Sequence, residues 1–404
     1  MFTGHAGIYD LYLGNNFVRN IHSLNNCTRQ FERSLSKYLQ IPYVFLLDSG
    51  RSALLIALDL LGCSNREVLV NAYTTDVVHS TIIAAGAQPQ LFDINPITLE
   101  PAPDSIRQMK FDNIALIIHT GLFGLPCNPT GLLFEAQKHS IPLVEDACNS
   151  FGTRWREGLC GQYGSLAILS FRVGKPLSSG GGALLTRDLV LADKIRSRLR
   201  RVPEASSNSS FLLLLRILFD YCAFQPLVLK YFSRPLREAT KGTSIGKLLT
   251  RGGVVDTARI ANPISVRRMG KWQAALGLAN LDQYPKRLIQ RRRAGRLLVE
   301  RCSDLPFTFL VNKNDNNWNG LFLPLLLPHD CADIFVDWMR KRHFDVTRFH
   351  AEAAQHSYQS FAQQNLPGTR LICDRLVCVP STPAMLGKIE HFHTAAKCFA
   401  DKHC

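Results

Sequence analysis

The chain has 404 residues, of which 46% are hydrophobic and 20% charged, as in a soluble globular protein with a large core. Its net charge of +15 favours an anionic partner: nucleic acid, anionic lipid or a phosphorylated small molecule. Twelve scattered cysteines without a CxxC pair argue against a disulfide framework and a structural zinc site, so no metal is expected.

The opening "MFTGHAGIYDLYLGNNFVRN" lacks a basic start followed by an apolar run, so it is not expected to be a secretory signal, and a cytoplasmic location with reduced thiols follows. "YVFLLDSG" is then a short strand ended by turn residues, and "RSALLIALDLLG" has the apolar spacing of a helix stopped at Gly62. "EVLVNAY" is expected as a strand, "TDVVHSTIIAAG" as a helix closed by Gly86, and "QPQLFDI" as a strand. "NIALIIHTGLFG" supplies a strand and turn, "GLLFEAQKHS" a helix, and "PLVEDACNS" and "LAILSFRVGK" two more strands. Strands alternating with helices of this length predict an α/β fold with a mainly parallel sheet and helices on both faces.

In such sheets, ligands bind beyond the carboxyl ends of the strands. The polar clusters sit at those ends: Ser49-Gly50-Arg51, Tyr73-Thr74, His119, Glu145-Asp146, and Ser170 to Lys175. Gly50 and Arg51 open a helix, where free N–H groups and the helix dipole suit a phosphate, although an N-cap serine explains the same letters. Asp146 follows an apolar run and needs a cationic or proton-donating partner if buried; a surface salt bridge is the alternative. Lys175 is isolated among apolar residues, and a desolvated lysine can become a carbonyl-trapping nucleophile. Gly180, Gly181 and Gly182 would let the backbone pass close to a bulky ligand. A phosphate cradle, a carboxylate and a lysine at the ends of one sheet are what pyridoxal phosphate requires.

At this point the chain resembles the DegT/StrS-type sugar aminotransferases, pyridoxal-phosphate enzymes of fold type I. The resemblance is carried by "FERSLSKYLQIPYVFLLDSGRSALLIALDLLG", "VLVNAYTTDVVHSTIIAAGAQPQLFDINPITLEP", "VEDACNSFGT", "YGSLAILSFRVGKPLSSGGGALLT" and "RRMGKWQAALGLANLDQY". It implies that Lys175 holds the cofactor aldehyde, that Asp146 pairs with the ring nitrogen, and that Gly50, Arg51 and Ser170 hold the phosphate. Asn149 stands where the family usually has a glutamine close to the cofactor. Thr75 replaces a ring-stacking aromatic, Cys148 a small alanine on the other ring face, Gly181 an acidic residue, and Val266 an asparagine expected from a neighbouring subunit. The expected organisation is a large cofactor-binding domain over 1–285, with an insertion at about 204–260, and a smaller α/β domain over 286–404.

The implied function is transfer of an amino group, with glutamate as the expected donor, to a nucleotide-linked or lipid-linked keto-sugar in polysaccharide or glycoconjugate synthesis. His119 and His350 are candidate substrate contacts, and a homodimer is expected. Sugar dehydration and a non-catalytic membrane-associated homologue are the alternatives. No nucleic-acid recognition motif accompanies the positive charge, so a nucleic-acid partner is not expected. The insertion "SSFLLLLRILFDYCAFQPLVLKYFSRPLREATKGTSIGKLL" pairs an apolar run with flanking basic residues. Residues 208–240 are therefore expected either to lie peripherally on an anionic membrane or to pack across a dimer interface.

Overall fold

The computed structural model describes residues 15–223, 265–311, 315–348 and 365–403. Its centre is a seven-stranded sheet in the order β1-β9-β8-β5-β4-β2-β3. The strands are β1 (Tyr43–Leu47), β2 (Glu67–Asn71), β3 (Gln88–Phe92), β4 (Ile114–Thr120), β5 (Leu143–Asp146), β8 (Leu166–Ser170) and β9 (Gly182–Thr186). All seven residues of β4 are buried, an apolar run from Ile114 to Ile118 followed by His119 and Thr120, because helices cover both faces. The helices α3 (Gly50–Leu60), α4 (Asp76–Ala84) and α6 (Thr130–Lys138) fall between strands where the sequence spacing puts them.

Only β9 runs against its neighbours, pairing antiparallel with both β8 and β1. The cause is its connection: Phe171 to Gly181 is a compact turn without a helix, so the chain folds back as a hairpin instead of crossing over. That turn carries Lys175. The chain leaves β2 for β3 at the sheet edge and returns to β4 on the other side of β2. The carboxyl ends of β2, β4, β5 and β8 therefore border a switch in strand order, where open α/β sheets hold their ligands.

Two helices frame this sheet. α2 (Leu24–Leu39) packs along α9 (Lys271–Arg301), and Gly277 permits the closeness, since a Cβ there would meet the Phe31 ring at 2.5 Å. α9 continues through Pro285, so the chain passes residue 285 inside a helix and not through a linker. Beyond it, β10 (Thr308–Phe309), β11 (Phe322–Leu326) and β12 (Leu376–Pro380) form an antiparallel three-stranded sheet. Helices α10 (Ala332–Lys341), α11 (Pro367–Arg375) and α12 (Ile389–His403) accompany it. One apolar cluster joins Leu69, Phe92 and Ile117 of the large sheet to Trp318, Leu323, Phe335 and Phe399 of this smaller part.

The insertion begins with α8 (Ser207–Ala223). Ser210, Leu214 and Ile217, at helical spacing, form its buried face. Gln273 of α9 donates to the Ser210 carbonyl at 2.6 Å, and the Phe211 and Trp272 rings lie 5.1 Å apart. Leu212, Leu215 and Phe219 on the other side are exposed. Residues 224–264 of the insertion lie outside the described residues, as does His350. Among the described residues no helix is long and apolar enough to cross a membrane.

Asp93, just past β3, ties the two parts of the chain together. Its buried carboxylate accepts from Gly368 N at 2.8 Å, Thr369 N at 2.7 Å and Thr369 Oγ1 at 2.7 Å, all at the first turn of α11. Asp93→Ala would strand those donors and is expected to cost about 2 kcal/mol of stability. An unchanged denaturant midpoint would contradict this clamp.

Candidate active site

Lys175 sits at the bend between β8 and β9, only 9% exposed. The bend is tightened by Lys175 N donating to Arg172 O, and by Ser179 N and Gly180 N both donating to Phe171 O. Gly174, Gly180 and Gly181 have φ of +92°, +79° and +91°, values that side-chain-bearing residues rarely adopt. Gly182 has a different task. A Cβ there would lie 2.4 Å from the Gly50 nitrogen, so the glycine run approaches the Ser49–Gly50 backbone itself, and Met269 fills the space over Gly181. The close approach expected towards a bulky ligand is thus first an approach of backbone to backbone.

The Lys175 Nζ donates to Asn149 Oδ1 at 2.6 Å. Burial lowers the amine below the usual lysine pKa, with Cys148 and Asp146 opposing and Arg172 assisting. The Cys148 thiol is itself pushed far up, by burial and then by Asp146, so it stays neutral near pH 7 and cannot offset the burial. A buried, easily deprotonated amine results.

Asp146 ends β5, buried and without an ion pair among the described residues, so it is not a surface salt bridge. Its Oδ1 accepts from Cys148 N at 3.1 Å and its carbonyl from Gly121 N at 3.0 Å. Gly50, Ser170 and Cys148 meet at one point: a Cβ on Gly50 would lie 2.9 Å from Ser170 Cβ and 3.4 Å from Cys148 Sγ. Ser49 does cap α3, accepting from Ser52 N at 3.1 Å. The cap does not account for Arg51, whose Nε and Nη2 are buried without a partner. Asn71 Nδ2, Thr74 Oγ1, Thr120 Oγ1 and Ser150 Oγ are in the same condition, on or just past β2, β4 and β5. So many orphaned polar atoms at one edge of a sheet call for a polar guest.

Two expected residues are placed otherwise. His119 and Glu145 are register partners, as are Thr120 and Asp146, and successive strand residues face opposite sides. His119 therefore faces away from Asp146, buried with its Nε2 3.1 Å from Cys127 Sγ, and burial lowers its pKa to about 4. Glu145, on the same side, accepts from Gly161 N at 2.8 Å and Gly164 N at 2.7 Å and shapes the loop before β8. Thr75 spends its hydroxyl capping α4. Asn319, Asn71, Thr120 and Ser150 were not marked by sequence reasoning; for Asn319 the only signal is the Asn-Gly turn dipeptide ahead of β11.

The model of the DegT/DnrJ/EryC1/StrS aminotransferase family matches residues 19–209 and 248–391. The chain belongs to this family. A relative, the L-glutamine:2-deoxy-scyllo-inosose aminotransferase of Streptomyces fradiae, is 30% identical over 169 residues, 41% of this chain and 40% of that protein. The match thus spans less than half of the relative's length. Among solved structures, Helicobacter pylori PseC, an aminotransferase involved in the biosynthesis of pseudoaminic acid, aligns with a TM-score of 0.74 at 16% identity, covering 97% of this chain and 98% of that one. NtdA from Bacillus subtilis with bound cofactor PMP aligns with a TM-score of 0.71 at 18% identity, covering 100% of this chain and 85% of that one. The fold is that of the fold-type-I pyridoxal-phosphate aminotransferases, with a mainly parallel central sheet and a smaller C-terminal part.

Members of the DegT family are pyridoxal-phosphate enzymes, and the residues present fit that cofactor. The orphaned Arg51 donors beside the N-terminus of α3 suit a phosphate, and the buried Asp146 suits a protonated ring nitrogen. Among the described residues no group of His, Cys, Asp or Glu could hold a metal ion. The dependence of this site on backbone closeness can be measured. Gly182→Ala is expected to lower the thermal midpoint well below that of Gly387→Ala, where a Cβ meets nothing within 4 Å. Equal midpoints for the two variants would contradict the close approach.

Proposed function

We propose that this DegT-family chain is a pyridoxal-phosphate aminotransferase that moves an amino group from glutamate to a keto-sugar carried on a nucleotide or a lipid. The observation that carries it is Lys175, buried, held by Asn149 and close enough to Asp146 for their charges to interact. When bound, the cofactor supplies an aldehyde for amines and a ring that accepts the electron pair left by a departing proton. Arg51, Gly50 and Ser170 would hold its phosphate end, and Asp146 would keep the ring nitrogen protonated. Cys148, beside Gly50 and Ser170, would lie near the ring, where a neutral thiol adds no charge. Lys175 would hold the aldehyde group, and its amine would serve as the base and then the acid that moves the substrate proton. Its lowered pKa suits the task, since burial favours the neutral amine over the charged one. The retained lysine favours transamination over sugar dehydration, and also over a non-catalytic homologue, which has no use for a buried amine.

The reading includes a homodimer whose partner completes the site near the 265–269 segment. It also includes peripheral contact with anionic membrane, supported by the exposed Leu212, Leu215 and Phe219 of α8 and by the exposed Arg200 and Arg201 that precede it. Vesicles with anionic lipid are expected to retain the protein at low salt and release it at high salt, and deletion of 208–240 to abolish retention. A protein that ignores such vesicles, and a deletion that breaks the dimer, would make this segment an oligomer element.

A screen of keto-sugar nucleotides with glutamate tests the activity. Lys175→Ala should lose turnover by at least about 100-fold and Lys175→Arg should not restore it, because arginine keeps its proton. Asp146→Asn should remain folded and bind the cofactor but turn over more slowly. Full activity in either variant would overturn the assigned roles.

A further inference from the structure

Asn319 lies far from Lys175 in sequence, fully buried, in the segment that leads into β11. Its Nδ2 donates to Asn149 O at 2.7 Å and to Phe151 O at 3.0 Å, and its Oδ1 accepts from Leu321 N at 2.9 Å. Its own N–H reaches Gly124 O at 2.9 Å, in the loop after β4. Both side-chain donors and the acceptor are thus used, a set that an amide of this length provides and a hydroxyl or carboxylate does not. The segment around it is anchored too: Arg154 N donates to Asn317 O at 2.8 Å, Arg292 Nε to Trp318 O at 2.6 Å, and Ser381 Oγ to Gly320 O at 2.8 Å. A carbonyl fixed by a rigid element fixes the residue that bears it. That residue is Asn149, whose side chain accepts from Lys175.

We propose that Asn319 is a positioning residue: it grips the Asn149 backbone so that Asn149 Oδ1 stays on Lys175 Nζ. The proposal rests on Lys175 being the reactive amine of the site. Through this relay the smaller part of the chain governs the reactive group of the larger one. Phe151 O keeps a second donor, the Tyr284 hydroxyl at 2.6 Å, so loss of Asn319 chiefly frees Asn149. Asp146 at the end of β5 and Arg172 in the lysine's own turn also act on the Lys175 charge, the neutral Cys148 thiol lies beside it, and none of the three is touched by the substitution.

The test titrates Lys175 in the cofactor-free full chain by its rate of reductive methylation with formaldehyde and cyanoborohydride, read by peptide mass spectrometry against pH. An oxygen accepting from Nζ favours the charged amine, so Asn319→Ala and the volume-conserving Asn319→Leu should both move the midpoint down by about one unit. Asn149→Ala should produce the same shift, and the double variant no more than either single one. Shifts that add in the double variant would overturn the relay, as would an unmoved midpoint in a folded Asn319 variant. No cofactor enters this measurement. A chain that fails to bind pyridoxal phosphate but shows the non-additive shift would refute the proposed function and leave the relay standing.

Discussion

A lysine amine held almost wholly out of water is the constraint on which the rest of the site depends. Burial disfavours the charged form, and an amine left without an acceptor in that setting would be costly. Asn149 provides the acceptor at 2.6 Å, and Asp146 keeps a negative charge nearby. Bringing Lys175 to that position requires the chain to reverse between β8 and β9, which is why β9 is the sheet's one antiparallel strand and why glycines crowd the turn. The same turn presses Gly182 onto Ser49 and Gly50, which sets the start of α3 and with it Arg51. Lys175, Asp146 and the Arg51 donors are therefore parts of one packing arrangement.

Much of the fold was legible in the sequence because parallel strands buried on both faces appear as unbroken apolar runs, as in "IALII". Direction was not legible: apolar periodicity is the same for a strand running either way, and only the helix-free link after Lys175 hinted at the reversal in β9. Alternation along β4 and β5 could have separated His119 from Thr120 and Glu145 from Asp146, once the register of those strands was fixed. Register is a property of the folded sheet, so the sequence offered His119 and Glu145-Asp146 alike as polar groups at strand ends. Asn319 was invisible for another reason. The contacts of its side-chain amide nitrogen are to backbone carbonyls of residues remote in sequence, and no spacing rule reaches that far.

The departures from the family pattern have physical consequences in the structure. The glycine at 181 leaves room that Met269 fills, so an acidic side chain there is exchanged for an apolar contact. Thr75 caps α4, and Cys148 brings a polarisable, neutral thiol beside Gly50. These changes leave Lys175, Asn149 and Asp146 together.

The central claim is that Lys175 is the group that takes up the cofactor aldehyde. Incubating the full chain with pyridoxal phosphate, reducing with borohydride and mapping peptides by mass spectrometry addresses it directly. The account predicts a phosphopyridoxyl adduct on Lys175 at one per chain, absent when Lys175 is replaced by alanine. An adduct spread over surface lysines with Lys175 unmodified would contradict it.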